Sequence, residues 1–353
     1  MLGAAFTPKL PAESLAVNSS VTEKDRVVNL NEPELVTAVV PTRNRPGLVV
    51  KAVQSALRQT HPSMEVVVVI DGPDPTTDLA IERALAEIHD ARLHIFPLAA
   101  NVGGAEARNI GVRAARGRWI AFLDDDDEWL PGKIALQLAV ARANETAFPV
   151  ISSRLLVRTP GGDFCRPLRA YHPGTPVSEH LFCRHGFADG PYAMQTSTLL
   201  VPRDLLFAVP FRRGLKRHQD WDWLLRAASH PGVGFHVVSE PLTIFRVEEA
   251  RSSVSRSLDW EFSLQWAREM RSHFTPRAWS FFVATECLTR AIKSRPGAAV
   301  YARLAWEFIA GGSPTLHSLA WLGAFACFPR SLRTRLRQFV RRKSSLDRPS
   351  PIT

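Results

Sequence analysis

The chain has 353 residues and a formal net charge of +10; 45% of its residues are hydrophobic and 22% are charged. These proportions are ordinary for a soluble globular protein, and the length suits two domains or one domain with a long extension. A basic balance favours polyanions in general. Much of the positive excess lies near the C-terminus, however, and no nucleic-acid-binding motif is present, so we expect no nucleic acid partner.

Targeting and redox signals are sparse. Residues 1–33 contain no continuous apolar core, so we predict a disordered tail there and no secretory signal. No stretch reaches the roughly 18 apolar residues of a membrane-spanning helix. The cysteines are scattered along the chain and show no metal-ligand spacing. We therefore expect reduced thiols in a cytoplasmic protein. They are Cys165, Cys183, Cys287 and Cys327.

Strand-like and helix-like segments alternate in the first part of the chain. Strands are predicted over 35–40, 65–70, 92–96 and 119–123, and helices over 46–57, 76–88, 105–115 and 132–143. Alternation at this spacing predicts βαβ units and a mostly parallel sheet, which is an α/β fold.

The pattern changes after residue 150. Further strands are predicted over 150–157, 195–201 and 234–238, with irregular loops over 161–190. A helix with acidic residues in its first turn begins near residue 217, and the chain is predicted to be helical from residue 258.

Four consecutive aspartates, Asp124 to Asp127, follow the apolar run 119–123. Their carboxylates repel one another unless a cation offsets them. Mg²⁺ and Mn²⁺ prefer oxygen ligands, and Mg²⁺ is usually held by one or two carboxylates together with substrate phosphates. The run therefore predicts a metal–diphosphate site, and the alternative is a solvated acidic loop.

Polar residues also follow the other predicted strands. Thr42 and Arg43 follow the first strand, Asp71 the second, and Asn101 the third. Ligands of open α/β sheets bind outside the carboxyl ends of the strands. We therefore expect these residues and the aspartate run to converge on one edge of the sheet.

In order and spacing, these segments resemble the family 2 glycosyltransferases with a GT-A fold, over about 35–255. The similar segments are VVPTRNR (39–45), SALRQT (55–60), VIDG (69–72), NVGGA (101–105) with ARN (107–109), FLDDDD (122–127) with Pro131, and QDWD (219–222). The resemblance implies a Rossmann-like nucleotide-diphospho-sugar transferase fold with a mostly parallel central sheet and a helical C-terminal extension.

The resemblance also implies roles for individual residues. Nucleotide-sugar binding is implied for Pro41, Thr42, Arg43, Asp71, Arg108, Asp124 and Asp125. Binding of Mn²⁺ or Mg²⁺ is implied for Asp126, Asp124 and Asp127, with Asp126 as the better ligand. Asp220 matches the catalytic base. The implied reaction is an inverting, metal-dependent transfer of one sugar from a nucleotide-diphospho-sugar to a hydroxyl of a saccharide or lipid-linked acceptor.

Two residues depart from the family pattern. Ile70 and Gln219 each stand where an acidic residue is usual, immediately before Asp71 and Asp220. The chain also lacks the Gln-x-x-Arg-Trp motif and the membrane helices of processive polysaccharide synthases. This difference indicates single-sugar addition. As a separate hypothesis, the transfer serves the biosynthesis of a cell-surface polysaccharide or glycolipid.

Simpler interpretations remain open for several of these residues. Asp220 could cap a helix or interact with its dipole, and Asp222 could face solvent or a neighbouring arginine. Asp71 could form a turn before Gly72. Arg108 could be a surface residue of a helix.

Three other classes of protein compete with the transferase. A nucleotidyltransferase would have a Gly-rich loop after the first strand, whereas residues 41–47 read PTRNRPG. A nucleic-acid binder would suit the charge of +10. The third class is a nucleotide-sugar-binding transferase fold without catalysis, although both acidic sites are retained in the sequence.

We predict a catalytic domain over 34–257, with a nucleotide-binding half (34–130) and an acceptor-binding half (131–257). A helical region with a basic tail follows over 258–353. Its apolar stripes are expected to pack against one another or against the catalytic domain. An apolar segment next to an arginine cluster is typical of helices that lie on anionic membranes, so the tail is a candidate for contact with the inner face of the cytoplasmic membrane.

Overall fold

The computed structural model describes residues 33–184, 194–247, 258–294 and 296–327. The tail predicted to be disordered, apart from Pro33, and the basic segment after residue 327 lie outside these described residues.

The described strands form one mixed sheet. They are β1 (Val36–Thr42), β2 (Met64–Ile70), β3 (Leu93–Pro97), β4 (Trp119–Phe122), β5 (Asp127–Trp129), β6 (Phe148–Thr159), β7 (Gly162–Arg166), β8 (Leu200–Pro202) and β9 (Val233–Arg246). Their order is β3-β2-β1-β4-β8-β6-β9-β5, and β7 pairs with β6. The first four strands are mutually parallel, whereas β8 is antiparallel to both β4 and β6.

Helices cover both faces of this sheet. They are α1 (Pro46–Leu57), α2 (Pro75–Ala86), α3 (Gly104–Ala114), α4 (Lys133–Arg142), α5 (Val177–Phe182), α6 (Arg203–Ala208), α7 (Gln219–Ala227), α8 (Trp260–Glu269), α9 (Pro276–Phe282), α10 (Thr289–Ser294), α11 (Ala298–Ile309) and α12 (Leu316–Cys327). A π-helix, Val283–Leu288, joins α9 to α10.

Strand residues alternate between the two faces, as side chains on a pleated strand must. On β1, Val36, Ala38 and Val40 pack into a core with α1, α2 and α4, whereas Val39 packs into a larger core on the opposite face. Because both faces are covered, the parallel strands read as nearly continuous apolar runs. The predicted α/β alternation is confirmed.

The interpretation of 161–190 as irregular loops was wrong for part of that range. Pro160 and Gly161 form the two-residue connection of a hairpin between β6 and β7, with Thr159 opposite Gly162. Gly162 has φ +114°, which glycine adopts without strain. The segment 195–201, expected to be a strand, is a 3₁₀ turn (Thr196–Thr198) followed by β8. In both places turn residues and strand residues follow one another within a few positions of the sequence, so the sequence pattern does not separate them.

The C-terminal helices extend the larger core. Phe282 of α9 and Trp266 of α8 pack with Phe182 and Phe274 in an aromatic cluster. The expected packing of apolar stripes holds for Phe281 and Phe282, which are buried. It holds only in part in α11 and α12, where Phe308 is buried but several other large apolar side chains face solvent. Within the described residues, the helices are too short or too polar to cross a bilayer.

Candidate active site

The carboxyl ends of β1, β2 and β4 meet at one edge of the sheet. The Asp71 amide donates to the Thr42 carbonyl at 2.8 Å, and the Leu123 amide donates to the Val39 carbonyl at 3.0 Å. Thr42, Asp71 and the aspartate run therefore start from neighbouring strand ends, as the sequence predicted. Parallel strands that share an edge produce this convergence.

The aspartate run is a turn between β4 and β5 and not an extended acidic loop. The Asp127 amide donates to the Asp124 carbonyl at 3.1 Å, which folds the run back on itself. The Asp124 amide donates to the Ser197 hydroxyl at 3.0 Å. This turn brings one ligand atom from each of Asp124, Asp126 and Asp127 to within 4.8 Å of the others.

Asp127 is the buried member of these three aspartates. Its Oδ1 atom is shielded from solvent and accepts no hydrogen bond from the residues that the structure describes. Burial raises the pKa of Asp127 well above its ordinary value, and the nearby charges of Asp126 and Asp124 add to the effect. A buried carboxylate oxygen without a donor requires either a proton or a cation.

The fourth aspartate, Asp125, is not part of this group of three carboxylates. Its carboxylate accepts from the Thr42 hydroxyl at 2.8 Å and from Arg45 Nη1 at 2.9 Å. Burial raises the pKa of Asp125, while Arg45 and Thr42 oppose that shift. Arg45 Nη1 also lies 3.7 Å from Asp126. Asp125 thus holds Thr42 of β1 and Arg45, which precedes α1, beside the turn that contains Asp124 to Asp127.

The three converging carboxylates fit a hard divalent cation. They offer only oxygen donors, as Mg²⁺ and Mn²⁺ prefer. The donor-free Oδ1 of Asp127 is the observation that supports the fit, since a bound cation would satisfy it.

Arg108 joins this turn to α7. It is buried, and its guanidinium donates to Asp124 Oδ1 at 2.5 Å and to Gln219 Oε1 at 2.9 Å. The alternative that Arg108 is a surface residue of a helix is therefore wrong. Gln219 in turn donates from Nε2 to the Leu215 carbonyl at 2.7 Å, so its amide braces Arg108 without adding a negative charge.

Asp71 shapes the loop that precedes α3. Its two carboxylate oxygens accept from the backbone amides of Val102, at 2.7 Å, and Gly103, at 3.0 Å. Gly103 has φ +80°, which allows the chain to enter α3 there. Ile70, which precedes Asp71 and differs from the family pattern, lies fully buried in the core. The implied roles of Asp71, Pro41 and Arg43 in nucleotide binding stay predictions.

Asp220 lies in the first turn of α7 with its carboxylate half-buried. Its Oδ1 accepts from the Trp221 amide at 2.9 Å, and no side chain among the described residues donates to it. Burial raises the pKa of Asp220 to about 6, against the opposing influence of the Trp221 amide and of Arg108. A carboxylate with this pKa is ionised at neutral pH and retains useful basicity.

Asp222 has a different environment on the same helix. It is buried, forms ion pairs with Arg212 at 3.2 Å and Arg226 at 2.8 Å, and accepts from Trp266 Nε1 at 3.1 Å. Of the two alternatives left open for Asp222, contact with a neighbouring arginine is correct and exposure to solvent is wrong. These donors make Asp222 a structural anchor between α7 and α8.

His218, which precedes α7, is structural. It adopts a left-handed conformation with φ +65°, and its ring stacks on Trp221 with centroids 4.7 Å apart. Its Nε2 atom lies 3.0 Å from the Ser263 hydroxyl. Burial lowers the pKa of His218 well below its ordinary value, so the ring is neutral.

Two residues of the site, Ser197 and Arg45, were not singled out from the sequence. Ser197 accepts from the Asp124 amide, and its carbonyl accepts from Trp129 Nε1 at 2.9 Å. Arg45 pairs with Asp125. Arg45 could have been found as the basic residue that follows β1, whereas no local pattern marks Ser197.

Comparison with known proteins agrees with this geometry. Residues 37–173 match the model of glycosyl transferase family 2. Amylovoran biosynthesis glycosyltransferase AmsB of Erwinia amylovora is 26% identical over 247 residues, which are 68% of this chain and 79% of AmsB. Succinoglycan biosynthesis protein ExoO of Rhizobium meliloti is 41% identical over 108 residues, 31% of this chain and 30% of ExoO.

Among solved structures, S. aureus TarS 1–349 in complex with UDP-GlcNAc superimposes with a TM-score of 0.53 at 18% identity, covering 90% of this chain and 93% of TarS 1–349. The fold is the GT-A fold of glycosyltransferases. The chain is a glycosyltransferase, and its match to glycosyl transferase family 2 covers residues 37–173.

Proposed function

We propose that this glycosyltransferase moves one sugar from a nucleotide-diphospho-sugar to a hydroxyl of a saccharide or lipid-linked acceptor, with inversion at the anomeric carbon. One observation carries the proposal: Arg108 bridges the acidic turn and the first turn of α7, through Asp124 and Gln219. This contact supports the proposal because it joins the proposed metal–diphosphate site to the helical turn that contains Asp220.

On the donor side, Asp124, Asp126 and Asp127 would hold Mn²⁺ or Mg²⁺. When bound, the ion would neutralise charge that develops on the diphosphate leaving group. The Arg108 guanidinium supplies a second positive charge at the same place. Asp71, Pro41, Thr42 and Arg43 would line the nucleotide pocket, with Asp125 fixing Thr42 and Arg45 at its edge.

On the acceptor side, Asp220 is the proposed general base. The acceptor hydroxyl oxygen forms the new bond to the anomeric carbon while the bond from that carbon to the diphosphate oxygen breaks. The hydroxyl proton passes to the Asp220 carboxylate. General-base help of this kind contributes about 10²- to 10⁴-fold to the rate.

The proposed pathway is the biosynthesis of a cell-surface polysaccharide or glycolipid. The names of AmsB and ExoO, which refer to amylovoran and succinoglycan biosynthesis, support this assignment. Transfer of a single sugar is supported by the absence of a Gln-x-x-Arg-Trp sequence in the chain. A location at the cytoplasmic face of the membrane belongs to the same proposal.

A thermal-shift screen tests the donor side. UDP-, GDP- and dTDP-sugars are compared with Mn²⁺ and with EDTA, on the wild type and on Asp126→Ala. A donor at a hundred times its Kd stabilises the folded state by about 2.7 kcal/mol. We expect a metal-dependent shift with one nucleotide class that is lost in Asp126→Ala. The matched control is Asp204→Ala, an exposed aspartate of α6, which should keep the shift.

A transfer assay with the identified donor completes the test. Donor binding without any release of nucleoside diphosphate, across a panel of saccharide and lipid-linked acceptors, would contradict the proposed transfer. Donor stabilisation that is insensitive to EDTA would contradict the metal assignment alone.

A further inference from the structure

The outer surface of α11 is apolar. Leu304 and Phe308 face inward and are buried in the larger core. On the opposite side, Trp306 is 71% exposed and Ile309, three residues later, is 63% exposed. Residues three apart lie on the same side of a helix, so the indole and the isoleucine form one outward-facing pair.

The next helix repeats the arrangement. Leu316, the first residue of α12, is 85% exposed and Leu319 is 49% exposed, whereas Ser318 between them is buried. Both α11 and α12 pack on the π-helix Val283–Leu288. We call the four exposed side chains, Trp306, Ile309, Leu316 and Leu319, the apolar face.

Within the two described helices that carry this face, α11 and α12, the charged residues are Arg303 and Glu307. Arg303 is the exposed charged residue of α11, and Glu307 is engaged by Arg268 of α8. The outer side of a helix in a globular protein normally carries charged and polar residues. Two successive helices with large apolar side chains outward indicate a surface that contacts something other than water.

The sequence after α12 indicates the chemistry of that contact. Between residues 330 and 343 the chain contains seven basic residues and no acidic one. Apolar side chains with tryptophan, next to clustered arginines, match the headgroup region of an anionic bilayer. A second copy of the chain fits less well, because it would bring two such basic segments together.

We propose that the apolar face inserts among the headgroups of a membrane that carries anionic lipids, while the basic segment adds electrostatic attraction. This inference rests on the surface of α11 and α12 and does not depend on the proposed sugar transfer. It would hold the glycosyltransferase at a membrane surface, where a lipid-linked acceptor is found.

Vesicle co-sedimentation of the full chain tests the proposal. Vesicles of phosphatidylcholine alone are compared with vesicles that also contain phosphatidylglycerol. We expect binding to the anionic vesicles that weakens as salt rises. The variant Trp306→Ser/Ile309→Ser should bind them at least about tenfold more weakly, because insertion scales with the apolar area buried.

The matched control is Leu79→Ser/Phe207→Ser, which removes two exposed apolar side chains from α2 and α6. It should bind like the wild type. Both variants change exposed residues, so their melting temperatures should stay close to that of the wild type. Tryptophan fluorescence reports the depth of insertion into the bilayer. Brominated lipids should quench the fluorescence of the wild type more than that of Trp306→Phe.

Three outcomes would overturn the proposal. The first is undiminished vesicle binding by Trp306→Ser/Ile309→Ser. The second is equal binding to neutral and anionic vesicles. The third is a dimer in solution that the same variant dissociates, without vesicle binding by the wild type; a second copy would then cover the apolar face.

Discussion

The acidic turn, Asp124 to Asp127 at the end of β4, and the first turn of α7 each contain neighbouring aspartates. The residues that contact these aspartates differ between the two regions. In the acidic turn, Arg45 and Thr42 engage Asp125, and the other three aspartates converge. In α7, two arginines and Trp266 engage Asp222, and Asp220 stands alone. Each region has one aspartate that is held by its neighbours, Asp125 or Asp222, beside carboxylates for which we propose a chemical role.

The two regions differ in the number of carboxylates that lie close together, and each number suits a different chemical role. Three carboxylates at close range suit a divalent cation. A single half-buried carboxylate, whose pKa burial raises to about 6, suits proton transfer at neutral pH. Adjacent aspartates in one sequence segment therefore differ in environment, and we propose different roles for them because their tertiary partners differ.

The largest expected effect is at the solitary carboxylate. Asp220→Asn should lower the rate of sugar transfer by about 10²- to 10⁴-fold, because the amide accepts a proton poorly. The donor-induced thermal shift should persist. Asp204→Asn on α6 serves as the exposed control. Transfer by Asp220→Asn within a few-fold of the wild-type rate would remove Asp220 from the mechanism.

Asp222→Ala should act on stability. The substitution leaves Arg212 and Arg226 without their buried partner, and we expect a loss of about 3 kcal/mol in the free energy of unfolding. Both arginines are partly exposed, which keeps the loss at the lower end of the usual range. Denaturant unfolding measures it. Asp163→Ala, which breaks the exposed pair with Arg158, should cost no more than about 1 kcal/mol; equal losses would contradict the anchoring role.

Ser197→Ala tests the support of the acidic turn. It leaves the Asp124 amide without its acceptor, and an unsatisfied buried group costs about 1–3 kcal/mol. Affinity for Mn²⁺, measured by calorimetry, should also fall because the turn loses its tether. Ser229→Ala removes an exposed hydroxyl that contacts His273 and no residue of the turn, so it should leave the affinity for Mn²⁺ unchanged. Unchanged Mn²⁺ affinity in Ser197→Ala would show that the turn holds its shape alone.

The pH dependence of kcat distinguishes the regions further. Below a pH of about 6 the Asp220 carboxylate is protonated and cannot act as a base. The rate should therefore fall about tenfold for each pH unit below that point, and level off above it. Steady-state rates at saturating donor and metal give the profile. A rate that stays flat down to pH 5 would contradict the assignment.

The sequence by itself determined the parallel sheet and the positions of its functional ends. Apolar runs such as β2 and the alternating helices follow from local pattern, and that pattern also located Asp71, the aspartate run and the acids of α7. Short-range periodicity suffices for this, because it is set by which side chains must be buried.

Only the tertiary structure decided which partners each aspartate has. Asp125 is engaged by Thr42, 83 residues away, and Asp124 is held by Ser197, 73 residues away. Likewise, only packing revealed that Phe308 is buried while Trp306, on the same helix, faces outward. Contacts between distant segments leave no periodic trace in either segment, so the roles of neighbouring, chemically identical residues could be separated only in the folded chain.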